Sequence, residues 1–209
     1  MFEFNFVHRT PSKDISINLK AIMLESNSLD KYEDKCKIEK LCADWCTNYG
    51  KKWSCPPFSP SYTTTSNDYS KVLLLLLYCD LMQLNYIKTE YMKVKASNSI
   101  LKSRSEKLIR YIEKELGGYM LSNGSCRLCK PCTNKLGDSG CKKPTQMRYS
   151  LESLGLHVDQ ISEVIFNHRL LWYGNKIAPE YSTVISGLLL EASVTESEIK
   201  NMIKKIDVL

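Results

Sequence analysis

The sequence has only three histidines and none of the common nucleotide-binding or hydrolase motifs. His8, His157 and His168 lack the H-x3-H and H-E-x2-H spacings that place two imidazoles on one metal ion. We therefore interpret all three as packing or surface residues. No G-x-G-x-x-G, Walker A or nucleophile-elbow pattern is present, so nothing indicates a nucleotide fold or a serine hydrolase.

Long hydrophobic runs are also absent. The longest, residues 72–79, ends at Asp80, whereas a membrane-spanning helix needs about 20 apolar residues. This run therefore predicts a buried strand, and we expect no membrane association. The first nine residues lack the apolar core and small-residue cleavage site of a secretory signal, so we expect a cytoplasmic protein.

Cysteine is abundant, with nine residues in the chain. A chain without an export signal stays in a reducing compartment, which favours metal ligation or thiol chemistry over disulfides. The formal charge is +6. Four thiolates around a [4Fe-4S] core add about −2, because ligation removes the thiol protons, so two clusters would leave only about +2. The basic balance therefore gives no indication of a nucleic-acid partner.

Hydrophobic patterning predicts an α+β or α/β fold. We expect a single layered domain over residues 1–209, with a small central sheet, flanking helices and two cysteine-rich loops. The predicted strand-like segments cover residues 2–6, 15–17, 72–79, 119–121 and 183–191. The predicted helices cover residues 28–45 and 87–116, a segment from 150 interrupted at 155, residues 159–166, and a C-terminal helix from the capping box at 195–198 through Ile206.

The strongest motif is Cys126-x2-Cys129-x2-Cys132-x8-Cys141. Three thiols at consecutive three-residue intervals wrap one face of a cubane, because successive side chains of a tight loop reach neighbouring irons. Bacterial ferredoxins use the same three-cysteine run, although the spacing to the fourth cysteine is shorter there. The motif predicts an iron-sulfur cluster.

A second motif is Cys42-x3-Cys46-x8-Cys55, followed by Pro56-Pro57. Cys42 and Cys46 lie one helical turn apart, and Cys55 returns from a turn rich in proline. Cys36, six residues before Cys42, is either a fourth ligand or an ordinary buried thiol.

The assignment of ligands to clusters has two solutions. In one, each loop holds its own cluster. In the other, Cys55 completes the set of Cys126, Cys129 and Cys132, and Cys141 joins Cys42 and Cys46. Both solutions place the two loops side by side. Cys79 has no partner at a useful spacing and is predicted to lie in the core.

Zinc is the alternative metal, because four thiolates also form a closed tetrahedral zinc site. A third cysteine that follows after only two further residues is less typical of zinc. Zinc sites usually combine two closely spaced ligands with two that are distant in sequence. The spacing favours iron-sulfur.

The two loops resemble a family of cysteine-rich, predicted metal-binding proteins, a domain of unknown function found mainly in anaerobic bacteria and archaea. The matching residues are Cys42, Cys46, Tyr49-Gly50, Trp53, Cys55-Pro56-Pro57, Cys126, Cys129, Cys132, Cys141, Pro144, Arg148, Ser150, Glu152, Gly155 and Val158. The resemblance implies metal binding, an iron-sulfur cofactor and a cytoplasmic anaerobic setting. We expect Arg148, Ser150 and Glu152 to hold the second loop against the helix that follows it or to hydrogen-bond cluster sulfurs.

Three functions fit these patterns. The first is electron transfer, or accessory redox work, with a partner protein. The second is an enzyme whose three-cysteine cluster leaves one iron open to a small-molecule substrate, as a Lewis acid or a sulfur carrier. The third is a zinc-stapled interaction module.

Overall fold

A computed structural model of the protein describes residues 1–205. Its centre is a five-stranded sheet in the order β1-β2-β3-β5-β4, in which every neighbouring pair is antiparallel. The strands are β1 (Phe2–Arg9), β2 (Asp14–Glu25), β3 (Lys71–Asp80), β4 (Tyr119–Leu121) and β5 (Tyr181–Leu190). All five predicted strand segments are confirmed.

Helices cover the sheet. They are α1 (Lys35–Trp45), α2 (Tyr62–Ser66), α3 (Glu90–Leu116), α4 (Val158–Phe166) and α5 (Glu196–Lys205). The antiparallel sheet confirms the α+β prediction, since an α/β fold would need parallel strands joined by helical crossovers. Within residues 1–205, no helix combines the length and apolar character required to cross a bilayer.

Strand β3 is buried on both sides, as its unbroken apolar run predicts. Leu73, Leu75 and Leu77 face one core, which the long helix α3 and helix α5 close. The alternate residues Val72, Leu74 and Leu76 face a second core. Helices α2 and α4 and residues 151–156 cover this second face, and the cysteine loops leave from there.

Two helix predictions need correction. The segment 28–45, predicted as one helix, forms two: a 3-10 helix at Ser26–Tyr32 and then α1. The Asp34 carboxylate caps the first turn of α1 by accepting from the Lys37 N–H. The predicted helix from residue 150 does not form. There, Ser153 Oγ donates to Ser150 O and accepts from Ser150 N–H, and these local bonds compete with helical ones.

The remaining helix predictions are confirmed with small shifts. The long helix starts at Glu90 rather than residue 87, because the Thr89 hydroxyl caps it. The capping box is present: Thr195 N–H donates to Glu198 Oε2, and Glu198 N–H donates to Thr195 Oγ1. Ile206, placed on this helix by its periodicity, lies outside the described residues.

Candidate metal centre

The two cysteine loops pack against each other through three side chains of the first loop. Ser54 Oγ accepts from the Cys126 N–H at 2.9 Å. Lys52 Nζ donates to Cys126 O at 2.7 Å. Trp53 Nε1 donates to Thr133 Oγ1 at 3.1 Å. The sequence Lys52-Trp53-Ser54-Cys55 therefore places the start of the second motif beside Cys55.

Short-range turns shape the first loop. Gly50 N–H donates to Pro56 O at 3.0 Å, and Gly50 has a φ of 63°, which favours glycine. Cys55 N–H donates to Lys52 O, and Phe58 N–H donates to Cys55 O. These turns fold the proline-rich segment back toward α1 and its cysteines.

The four cysteines of the second motif line one narrow cavity. Trp53 and Met147 close its walls. Cys126, Cys129, Cys132 and Cys141 are all half-buried, and Cys55 is not among the lining residues. Eight residues separate Cys132 from Cys141, yet the segment folds back so that Cys141 lies beside the other three cysteines. The Thr133 Oγ1 closes this segment by donating to Gly140 O at 2.8 Å.

Two of these thiols accept a backbone hydrogen bond from the residue two positions along the chain. Lys143 N–H donates to Cys141 Sγ at 3.4 Å. The Leu128 N–H donates to Cys126 in the same way. This hydrogen bond lowers the pKa of the Cys126 thiol, whereas burial, the larger effect, raises it. Amide donors of this kind stabilise a thiolate, which is the form that binds metal.

Cys42, Cys46 and Cys55 form a second group. The pKa of Cys42 is raised to about 11, first by burial and then by the neighbouring thiols of Cys46 and Cys55, while Lys35 acts in the opposite direction. Burial also raises the pKa of Cys55. The three thiols are close enough to repel one another as thiolates, so this group needs a cation to become fully deprotonated.

Cys36 lies apart from this group. It is exposed on α1, and six residues of helix place it about 120° around the axis and about 9 Å along it from Cys42. Cys79 is fully buried in the α3-facing core, as predicted, and burial raises the pKa of its thiol to about 12.

Lys35 ties together the segments that return from the two loops. Its ammonium donates to Ser59 O at 2.9 Å, to Pro60 O at 3.0 Å and to Ser153 O at 2.8 Å. Gly155 permits this arrangement, because a Cβ there would lie 2.8 Å from Lys35 Cα and its φ is 93°. Gly155 O also accepts from the N–H of Asp34, just before α1.

Two ion pairs attach the second loop to α3. Arg148 Nε donates to Glu113 Oε1 at 2.7 Å, and the Arg148 guanidinium lies 4.9 Å from the centre of the Tyr119 ring. Arg127 Nη2 pairs with Glu106 Oε2 at 3.0 Å. Arg148 therefore holds the loop against α3, which precedes it, and not against the helix that was predicted to follow.

Ser150 has a local structural role, since its Oγ accepts from the Ser153 N–H in the turn that replaces the predicted helix. Glu152 lies near enough to Cys42 to contribute to the raised pKa of that thiol, after burial and the neighbouring cysteines.

No three cysteine, histidine, aspartate or glutamate side chains within residues 1–205 are arranged to hold a single metal ion. A tetrahedral zinc site brings four sulfurs to about 2.3 Å from one centre. A cubane instead takes each thiolate on a different iron, so its ligands stand apart around a shared space. The four thiols of the second loop line one narrow cavity, which must widen to admit a cluster.

Several supporting residues were missed by sequence reasoning. Lys35, Ser54 and Thr133 belong to no recognisable motif, and a helix-start lysine or a loop hydroxyl normally faces solvent. Trp53 and Gly155 could be found, since both belong to the pattern that the two loops share with the predicted metal-binding proteins.

The fold and the paired cysteine loops define a cysteine-rich metal-binding protein. Comparison with protein families agrees: residues 28–190 match the family described as predicted metal-binding protein (DUF2284), and the chain belongs to this family. No curated protein matches the chain. No solved structure matches it either.

Proposed function

We propose that the protein binds a [4Fe-4S] cluster through Cys126, Cys129, Cys132 and Cys141. The observation that carries this proposal is the single cavity that these four half-buried thiols line together. The family supports metal binding in general, and the cysteine spacing favours iron over zinc.

A second cluster is proposed at Cys42, Cys46 and Cys55. Cys55 does not line the cavity of the second loop, and the pKa of its thiol is raised more by Cys46 than by Cys126. These observations support the solution in which each loop keeps its own ligands. The exposed position of Cys36 on another side of α1 favours three cysteine ligands here rather than four.

The function that this arrangement supports best is electron transfer in a reducing, cytoplasmic and anaerobic setting. A bound cluster supplies a one-electron couple, and the chain controls its environment. The N–H groups of Leu128 and Lys143 donate to ligand sulfurs, which stabilises the more reduced, more negative cluster. The Lys52 ammonium, held between the loops by Cys126 O, adds positive charge in the same place.

An enzyme with an open iron is the second candidate, and the first loop is the observation that favours it. If Cys36 stays on the outer surface of α1, one iron of a cluster at Cys42, Cys46 and Cys55 has no thiolate. That iron would be available to a small-molecule substrate as a Lewis acid or a sulfur carrier.

Cysteine substitutions test these assignments. After reconstitution with iron and sulfide without oxygen, the double variant Cys129→Ala and Cys132→Ala is expected to lose about four irons per chain, and Cys79→Ala is expected to lose none. Cys36→Ala should keep the full iron content if the first loop has three cysteine ligands. Unchanged iron in the double variant would contradict the proposed ligand set, and loss of iron in Cys36→Ala would contradict the open iron.

A further inference from the structure

The second cysteine loop carries most of the chain's excess charge. Residues 126–143 contain five basic residues and one acidic residue, a local balance of +4 in a chain of +6. A bound cluster with its four thiolates adds about −2, which leaves this loop at about +2. The basic residues are Arg127, Lys130, Lys135, Lys142 and Lys143, and the acidic residue is Asp138. This density is not needed to hold the loop, since among residues 1–205 the one ion pair that these basic side chains form with the fold is that of Arg127 with Glu106.

The four lysines are free to meet a partner. All four are exposed, and within the described part of the chain no carboxylate forms an ion pair with any of them. They surround the loop that holds the four proposed cluster ligands. Lys130 follows Cys129 directly, and Lys142 follows Cys141.

Apolar side chains lie among these charges. Leu136, at the end of the 3-10 helix Thr133–Leu136, is 59% exposed, and Phe58 is 41% exposed. Trp53 connects them, because its ring lies 4.9 Å from that of Phe58 and its Nε1 donates to Thr133. An apolar centre with a charged rim is the usual composition of a protein interface.

We propose that this basic cluster surface, defined as Lys130, Lys135, Lys142 and Lys143 around Leu136 and Phe58, docks an acidic electron-carrier protein. The inference rests on the proposed cluster. Charge complementarity selects an acidic partner, and the half-buried thiols place the cluster close below the contact. On transfer, one electron leaves the reduced carrier and enters the oxidised cluster, and no bond forms or breaks.

Binding is measured separately from electron transfer. Isothermal titration calorimetry of the oxidised, cluster-loaded protein with an oxidised flavodoxin, an acidic flavin carrier, gives the Kd at low ionic strength (about 10 mM) and at about 150 mM. Stopped-flow absorbance then gives the rate at which the reduced carrier passes its electron. We expect the higher salt concentration to weaken binding, because at that concentration the attraction between exposed charges is largely screened beyond about 8 Å.

Two charge-matched variants locate the surface. The test variant carries Lys130→Glu, Lys135→Glu and Lys142→Glu. The control carries Lys13→Glu, Lys204→Glu and Lys205→Glu, all at exposed lysines. Lys13 lies in the β1–β2 turn, and the other two lie on α5. This helix contacts the edge strand β1 through Lys200 and Phe2, at the opposite edge of the sheet from β4. We expect the Kd of the test variant to rise at least tenfold at low salt and that of the control less than threefold. Leu136→Ala should weaken binding at both salt concentrations.

Three results would overturn the docking proposal. They are equal weakening by the two charge variants, absence of wild-type binding to the carrier at low salt, and displacement of the carrier by a single-stranded oligouridylate that binds more tightly. Iron analysis of each preparation separates these failures from failure of the cluster proposal, since loss of binding with full iron content counts only against the surface.

Discussion

At the scale of single residues, Lys35 has the most demanding position. A lysine at the start of a helix normally extends into water, yet this one is half-buried and donates to carbonyls from both returning loop segments. Burial lowers the pKa of Lys35, and the carboxylates of Glu39 and Glu33 oppose that effect. The ammonium therefore acts as a hydrogen-bonded link between the segments that follow the two cysteine loops.

Lys35→Met keeps the aliphatic stem and removes the ammonium. We expect the free energy of unfolding to fall by about 2–3 kcal/mol, because the carbonyls of Ser59 and Pro60 lose a charged donor. Urea unfolding measures the change. Lys37→Met on the same helix, where the side chain is exposed, is the control and should change the value by less than about 0.5 kcal/mol. Equal effects of the two substitutions would show that the ammonium of Lys35 is not the link described.

His168 gives a pH dependence that involves no metal. Burial lowers the pKa of His168 from 6.5, and the nearby Lys20 charge lowers it further. Its Nε2 lies 2.8 Å from Thr183 Oγ1, and its ring packs between those of Tyr78 and Tyr181. Because the folded state disfavours the proton, the stability contribution is complete above pH 6.5 and is lost as the pH falls through the folded pKa.

We therefore expect the unfolding free energy of the wild type to decline more steeply between pH 6.5 and 5 than that of His168→Gln. The difference in slope cannot exceed about 1.4 kcal/mol per pH unit for one proton. Chemical denaturation at half-unit pH intervals measures both slopes. Parallel slopes would mean that His168 titrates alike in the folded and unfolded chain.

At the scale of structural elements, the second loop depends on α3. Arg148 connects the end of the loop to Glu113, and its Nη1 also donates to Thr145 O and Met147 O. Glu113 Oε1 accepts in addition from the Met120 N–H of β4. One carboxylate thus fixes the edge strand and the loop to the same turn of the helix.

Arg148→Leu is expected to loosen this attachment without unfolding the sheet. Amide hydrogen exchange in residues 141–147 should accelerate about tenfold, which corresponds to about 1.4 kcal/mol of local stability. Arg110→Leu is the matched control, because Arg110 pairs with Glu106 on its own helix. Exchange that is unchanged in Arg148→Leu, or equally faster in Arg110→Leu, would contradict the anchoring role.

Sequence patterns predicted the elements that depend on local chemistry. The apolar run of β3 and the Thr195 capping box each determine their structure within a few residues, and both are confirmed. The segment after residue 150 was predicted wrongly because its apolar spacing resembles a helix, whereas Ser150 and Ser153 bond each other and Gly155 adopts a positive φ against Lys35. Contacts between distant segments decide that structure, and periodicity does not show them.

In the candidate site too, local sequence patterns predict some features and contacts between distant segments decide the others. The cysteine spacings identified the proposed ligands, and they remain predictions. The structure adds which thiols share a cavity, and it places Cys36 away from Cys42. The bonds of Ser54 to Cys126 and of Trp53 to Thr133 join residues more than seventy positions apart, so no local pattern could predict them.

At the scale of the whole molecule, the two-sided core leaves the cysteine loops free for chemistry. Helices α3 and α5 close one face of the sheet. On the other face, α2, α4 and the turn at 151–156 complete the second core. The segments 42–55 and 126–141, which precede α2 and that turn, hold seven of the nine cysteines. The leucine-rich sheet thus stabilises the fold, and the cysteine loops do not need to contribute apolar side chains to its two cores.

The central claim is that these loops hold iron-sulfur clusters. The most direct test is to purify the protein without oxygen and to determine iron, zinc and acid-labile sulfide per chain, with absorbance spectra before and after dithionite. We predict about four to eight irons with equal sulfide, and a broad visible absorbance that bleaches on reduction. About one or two zinc ions per chain, with no sulfide and no visible band, would contradict the claim and leave a zinc-stapled module in its place.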